Sequence, residues 1–280
     1  MIVIRTIDEM RSWVRHERTQ GHIVGFVPTM GALHEGHMQL VSKAAELVSR
    51  VIVSIFVNPT QFGPNEDLSR YPRPFEEDLD KCRNAGVAAV FHPAVEDMYD
   101  RETFIQFELD KMGDHLCGAS RPGHFAGVIQ VVNKLFNIVQ PDVAVFGQKD
   151  YQQYRILERM VEEFNHPVRM VMHPTVRADD GLALSSRNRY LSDHDRRLAP
   201  SIYSELQEIA VELKKDPSVA TAIEPSKKRL MAAGFKIDYI SVVSNNDLQP
   251  LIRATGTCIV AIAVFLGTTR LIDNLLVELP

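Results

Sequence analysis

Cysteine is scarce in this 280-residue chain: there are three, Cys82, Cys117 and Cys258, far apart and without a CxxC pair. That excludes a disulfide framework and a cysteine-built zinc site, and it reads as reduced thiols in a cytoplasmic protein. Long hydrophobic runs are missing too. The longest, Cys258 to Leu266, suits a buried strand rather than a membrane span. The opening Met1-Ile2-Val3-Ile4-Arg5 lacks the basic and then apolar layout of a secretory signal, so no membrane partner is expected. There is also no excess of positive charge. Thirty-one Lys and Arg face 36 Asp and Glu, a net charge of -5, which argues against a nucleic-acid partner. What remains is an ordinary soluble composition, 45% hydrophobic and 24% charged, long enough for one large domain or two modest ones.

Periodicity organises the chain into two parts. Thr6-Ile7-Asp8-Glu9 is a capping box opening a helix through about Arg18. Ile23–Val27 and Val51–Val57 read as buried strands, joined by an amphipathic helix over Met38–Ser49, an order that implies a parallel pair. Helices are expected over Pro74–Asn84, Phe125–Val139 and Tyr151–Phe164. Strands are expected over Val87–Phe91, Asp142–Phe146 and Val168–Met172, with an edge strand over 103–109. The recurring alternation predicts an α/β fold with a doubly wound parallel, Rossmann-like sheet over residues 1–176. Beyond that point come helices over Asp193–Lys215 and about Thr221–Ala233. Strands over Lys236–Val243, Cys258–Leu266 and Arg270–Glu278 follow. These predict a smaller C-terminal α+β domain over residues 177–280.

Four segments carry chemistry. Pro28-Thr29-Met30-Gly31-Ala32-Leu33-His34-Glu35-Gly36-His37 joins a buried strand to a helix start, where unpaired N–H groups and a partial positive charge suit phosphate. His34 and His37, three apart, share a face there. A zinc reading is weaker, because the metalloprotease pattern needs histidines four apart on a formed helix. Ile55-Phe56-Val57-Asn58-Pro59-Thr60-Gln61-Phe62-Gly63 lies at the C-terminal end of the second strand; Asn58 and Gln61 offer uncharged amides for a small hydroxy acid, although turn chemistry explains Asn58-Pro59 equally well. Phe146-Gly147-Gln148-Lys149-Asp150-Tyr151-Gln152-Gln153 places a cation between strand and helix, where it can neutralise a transferred phosphoryl group. Leu184-Ser185-Ser186-Arg187-Asn188 offers two hydroxyls and a guanidinium for an anion, and in isolation reads as a surface linker. The Glu76-Glu77-Asp78 run suits a magnesium ion or simply a solvated helix start.

Taken in order, these segments, with Tyr71-Pro72-Arg73, Arg121-Pro122-Gly123-His124-Phe125 and the closing Thr269-Arg270-Leu271-Ile272-Asp273-Asn274, resemble the pantothenate synthetase (pantoate–β-alanine ligase) family of His-x-Gly-His nucleotidyltransferases. The resemblance covers nearly the whole chain. It implies an ATP-dependent ligase in which pantoate attacks the α-phosphorus of ATP. Pantoyl adenylate forms, pyrophosphate leaves, and β-alanine then displaces AMP to give pantothenate. The resemblance also implies magnesium with the ATP and a homodimer. By position, His34, His37, Lys149, Ser185, Ser186 and Arg187 would be catalytic. ATP would be bound by Met30, His37, Gly147, Lys149, Asp150, Val176, Leu184, Ser185, Ser186 and Arg187. Pantoate would be held by Met30, Phe56, Asn58, Gln61 and Gln153, and Asp78 would stand near the metal. Leu184 stands where Met is usual, a change that keeps an apolar contact for adenine. The alternative is another nucleotidyltransferase of the same superfamily, disfavoured by the uncharged Gln61 and Gln153 where a phosphorylated acceptor would need basic residues.

Overall fold

The computed structural model describes residues 1–64, 66–100, 102 and 104–279. In chain order the elements are β1 (Ile2–Ile4), α1 (Ile7–Thr19), β2 (Val24–Thr29), α2 (Glu35–Ala45), β3 (Arg50–Ile55), α3 (Phe75–Asn84), β4 (Ala89–Phe91), α4 (Val95–Met98), α5 (Cys117–Ser120) and α6 (His124–Val139). Then follow β5 (Val143–Gly147), α7 (Tyr151–Glu163), β6 (Arg169–His173), α8 (Asp193–Leu198), α9 (Ser201–Lys215), α10 (Val219–Ala232), β7 (Lys236–Ser244), β8 (Thr257–Leu266) and β9 (Thr269–Glu278). The chain divides into two compact units. The first comprises Met1–Glu108, Gly123–Gln148 and Gln153–Pro174; the second comprises Leu109–Pro122, Lys149–Gln152 and Thr175–Pro280.

The first unit is a six-stranded sheet in the order β1-β4-β3-β2-β5-β6, every pairing parallel. Its strands are short, β-branched and buried, the pattern of a sheet flanked by helices. Leu40, Val41 and Ala44 of α2 pack with Val27, Val53 and Val145 in its core. From β2 the chain steps outward through β3 and β4, then returns to place β5 on the other side of β2. That reversal puts a topological switch point between the carboxyl ends of β2 and β5, where open α/β sheets bind ligands. The second unit holds an antiparallel sheet in the order β7-β8-β9. Alternate residues of β8, from Cys258 through Val260, Ile262 and Val264 to Leu266, pack with Ile202, Leu206 and Ile209 of α9.

The α/β architecture matches the sequence reading, and four local differences have physical causes. The helix expected over Asp193–Lys215 is two helices, because Pro200 has no N–H to continue the first and instead precedes α9. The second helix of the chain starts at Glu35, earlier than the apolar periodicity begins, so His34 occupies its N-cap and His37 its first turn. The strand expected over 103–109 does not form across 104–109, and residue 103 lies outside the described residues. Conversely β1, only three residues long, is a strand because β4 pairs with it.

Candidate active site

The loop after β2 is shaped by backbone geometry before any side chain acts. Gly31 and Ala32 both lie in the left-handed region, with φ of 80° and 50°. Alanine rarely adopts that conformation, and such strain persists where the surroundings over-determine it. Here they do. Asp78, buried on α3, accepts the Ala32 N–H on Oδ2 and the Leu33 N–H on Oδ1, both at 2.7 Å. Successive N–H groups pointing one way form an anion-binding concavity, and Asp78 fills it. Lys81, one turn along α3, donates to the Leu33 carbonyl at 2.7 Å. A side chain at Gly31 would close to 3.0 Å on Asp78 Oδ2 and on Ile55. The result is a rigid entry to α2. His34 and His37 stand there with ring centroids 4.1 Å apart, and His37 Nδ1 accepts the His34 N–H at 3.3 Å. That bond makes Nδ1 the acceptor and leaves the protonated Nε2 of His37 as a donor.

The expectation that Asp78 faces a magnesium ion therefore meets a carboxylate already used twice by the loop. Among the described residues no group of three or more His, Cys, Asp or Glu side chains is placed to hold a metal.

Beside that loop, the segment after β3 is equally constrained. Asn58 caps a single 3-10 turn over Pro59–Gln61 and is almost fully buried. Its Oδ1 accepts from the Tyr99 hydroxyl at 2.7 Å and from the Thr60 hydroxyl at 3.0 Å. Its Nδ2 donates to Gln61 Oε1 at 3.2 Å and to the Gly127 carbonyl at 3.1 Å. Asn58 thus orients Gln61, whose own Nε2 points to Met30 Sδ at 2.9 Å. The Gln61 carbonyl is held in turn by His124 Nδ1 at 2.8 Å. Gly127 permits the close approach of α6, because a Cβ there would collide with the Thr60 carbonyl. Met30, Phe56, Asn58 and Gln61 are therefore brought together, and Phe56 lies with its ring centroid 6.3 Å from that of Tyr99. Gln153, on α7, is half-buried in the same unit. Gly147 ends β5 with open space where a side chain would project, since a Cβ there meets nothing within 4 Å among the described residues.

The second unit gathers the remaining candidates. Lys149 lies in a 3-10 turn over Gln148–Asp150, its ammonium 3.5 Å from Asp150 Oδ2. The Lys149 carbonyl accepts from Asn274 Nδ2 of β9 at 2.9 Å. Tyr151 and Gln152 are fastened as well. The Tyr151 hydroxyl bonds Asn245. Gln152 donates to the Met112 and His115 carbonyls at 2.9 and 2.8 Å and accepts the Cys117 N–H at 3.0 Å.

Val176 and Leu184 are the two ends of a tight hairpin. Leu184 N–H donates to the Val176 carbonyl at 3.0 Å and Ala178 N–H to the Leu182 carbonyl at 2.9 Å, with Gly181 left-handed at the tip. Val176 and Leu184 thus face each other at the open end of the hairpin. Arg177 anchors the hairpin: it forks onto Asp273 of β9 at 2.5 and 3.0 Å and stacks 3.6 Å over the Tyr203 ring. Burial pushes the Asp273 carboxyl up, and the Arg177 bonds draw it back toward the ionised form. Ser185 caps the next 3-10 turn, accepting the Arg187 N–H at 3.3 Å, so Ser185, Ser186 and Arg187 share one half-buried turn.

Sequence reasoning named candidate side chains for ligand and missed the contacts that hold them: Asp78 as the anchor of the histidine loop, Tyr99, His124 and Gly127 around Gln61, and Arg177, Asp273 and Asn274 in the second unit. What they share is a partner distant in sequence, which a linear pattern does not show. Of these, Asp78 had stood out in the sequence as a candidate near a metal, and His124 and the closing Asp273-Asn274 pair as motif residues without a role.

Known proteins share this sequence and fold. A family model described as pantoate-beta-alanine ligase matches residues 2–276. A pantothenate synthetase of Pseudomonas fluorescens is 48% identical, covering 98% of each chain. One of Desulfitobacterium hafniense is 48% identical over 99% of each. Among solved structures, pantothenate synthetase from Thermus thermophilus superposes with a TM-score of 0.92 at 42% identity, covering 98% of this chain and 99% of that one. The pantoate-beta-alanine ligase of Francisella tularensis, complexed with beta-gamma ATP and beta-alanine, gives a TM-score of 0.84 at 36% identity, covering 99% and 97%.

Proposed function

The chain belongs to the pantoate–β-alanine ligase family, and from that premise we propose how its residues perform the reaction. The chain is an ATP-dependent, AMP-forming ligase that condenses pantoate with β-alanine to give pantothenate. The observation that carries the residue assignment is the rigid histidine loop after β2, at the switch point, beside the Asn58–Gln61 amide pair.

Met30 and Phe56 supply the apolar wall for pantoate's dimethyl carbon, and the Gln61 and Gln153 amides hold its hydroxyl and carboxylate oxygens. Asn58 acts on pantoate through Gln61, since its amide is already engaged. The pantoate carboxylate attacks the α-phosphorus, forming the acyl–phosphate bond as the bond to pyrophosphate breaks. His34, His37 and Lys149 donate to the phosphate oxygens on which charge grows, and this catalysis is positioning and charge neutralisation rather than covalent chemistry. Ser185, Ser186 and Arg187 grip the phosphate chain. Val176 N–H and Leu184 C=O read the adenine edge, and Gly147 and Asp150 meet the ribose. The amine of β-alanine then attacks the acyl carbon and AMP leaves. The C-terminal domain serves as the lid that keeps the adenylate from water. Magnesium would be held mainly by the ATP phosphates, with Asp78 nearby behind the histidine loop, and would neutralise charge on the leaving pyrophosphate. The working form is a cytoplasmic homodimer.

The test is pantoate-dependent exchange of labelled pyrophosphate into ATP, with magnesium present and β-alanine absent. Exchange that requires pantoate supports the adenylate. ATP binding without exchange under any acid would overturn it, and exchange with a phosphorylated acceptor instead would favour another nucleotidyltransferase of the superfamily.

A further inference from the structure

The second unit contains a pair of neighbouring polar residues that touch no substrate in the assignment above and yet hold two parts of it. Asp273 and Asn274 are consecutive residues of β9, both almost fully buried. Consecutive strand residues point to opposite faces of a sheet. Their register partners on β8 are Ile262 and Ala261. Ile262 belongs to the core packed against α9, so Asp273 lies on the helix side and Asn274 on the reverse side.

Each uses its face differently. On the helix side, Asp273 takes the Arg177 fork at 2.5 and 3.0 Å, and Arg177 also donates to the Gly181 carbonyl at 3.1 Å, tying both strands of the Val176–Leu184 hairpin to β9. On the reverse side, Asn274 Nδ2 reaches the Lys149 carbonyl at 2.9 Å, across 125 positions of sequence. Asn274 N–H closes the pair by donating to Asp273 Oδ1 at 2.8 Å. A buried amide and a buried carboxylate, both paired, are costly to leave unsatisfied, so each contact is strongly held.

We propose that Asp273 and Asn274 are positioning residues: Asn274 sets Lys149 through its carbonyl, and Asp273 sets the Val176–Leu184 hairpin through Arg177. One strand therefore gauges the phosphate-binding lysine against the backbone that reads adenine. This rests on the roles given above to Lys149 and the hairpin. A charge-stabilising donor loses much of its effect when displaced by about 1 Å, because the cost of misplacement reaches on the order of 100-fold.

The experiment is a double-mutant cycle read by pyrophosphate exchange. Asn274→Ala is expected to lower kcat about tenfold and leave the KM for pantoate unchanged. In the Lys149→Ala background the same substitution is expected to cost less than about twofold, since the residue it positions is already gone. Asp273→Asn is expected to raise the KM for ATP instead, with a smaller effect on kcat. The near-isosteric Asn274→Asp removes the donor while keeping the shape, and should repeat the Asn274→Ala pattern. An equal loss in both backgrounds, or the same kinetic profile for both neighbours, would overturn the proposal by showing general disruption of β9. Full activity of Asn274→Asp would overturn it too. Undiminished exchange by Lys149→Ala alone would sink the role of Lys149, a failure distinguishable from a failed cycle.

Discussion

In the first unit, Met30, His34, His37, Phe56, Asn58 and Gln61 all lie just beyond the carboxyl ends of two neighbouring parallel strands. In the second, Lys149, the Val176–Leu184 hairpin and Asn274 come from distant parts of the chain and meet through buried polar contacts. The parallel sheet delivers loops to one edge by topology, so its site needs only local stiffening, as Asp78 provides for residues 31–33. The antiparallel sheet offers no such edge, and its segments are held instead by a buried ion pair and side-chain bonds to backbone. The first arrangement draws its loops to one sheet edge before any side-chain contact is made. The second concentrates its order in a few buried groups, where an unpaired charge is expensive.

Breaking that concentration should give the largest effect. Arg177→Met leaves Asp273 buried without its cation, and unfolding free energy is expected to fall by about 3 kcal/mol at neutral pH, measured by urea titration. The pH dependence has a defined sign. Burial raises the Asp273 pKa in the folded state. Stability tied to its protonated form is therefore present below the unfolded carboxylate pKa and lost as pH rises through the folded value. Removing Arg177 takes away a lowering influence, so the variant should lose stability with rising pH over a wider window than the unsubstituted chain. A variant with flat stability from acid to neutral pH would contradict the comparison.

Next in size is Lys149→Ala. It should lower pyrophosphate exchange by on the order of 100-fold or more, the scale for one preorganised charge-stabilising donor, while the melting temperature stays nearly unchanged. Near-normal turnover would remove Lys149 from the chemistry. In the first unit, Asp78→Asn replaces one acceptor by a donor facing a backbone N–H. It should cost about 2 kcal/mol of stability, the scale for a charged hydrogen-bonding group left unmatched. It should also depress both half-reactions by loosening the histidine loop. A variant with unchanged melting but altered magnesium dependence would reassign Asp78 to the metal.

Smallest of the four, Gln61→Ala should weaken pantoate binding about tenfold, near the energy of one hydrogen bond between neutral and charged partners, and leave ATP affinity nearly intact. Isothermal titration with each ligand checks it. Equal losses for both would mean that Gln61 supports the whole loop cluster rather than pantoate.

The fold class was legible because its signals are local. The capping box at Thr6 and Glu9 forms as the pattern predicts, with Glu9 N–H on the Thr6 hydroxyl at 3.3 Å. The buried β-branched runs became strands within a residue or two of their expected ends. Where reading failed, a non-local partner or a single proline decided. β1 is a strand only through β4. Pro200 split a continuous helical pattern. Residues 104–109 alternate well and still pair with nothing as a strand.

By itself, then, the amino-acid sequence determined most of the elements, the family and the candidate groups for substrate, since a histidine pair at a helix start or an amide after a strand is written in consecutive residues. The tertiary structure alone decided which polar groups hold those residues still. Asp78 lies 46 positions from Ala32, His124 lies 63 from Gln61, and Asn274 lies 125 from Lys149. Such a bond becomes strong only once burial removes competing water, and burial is a property of the folded chain.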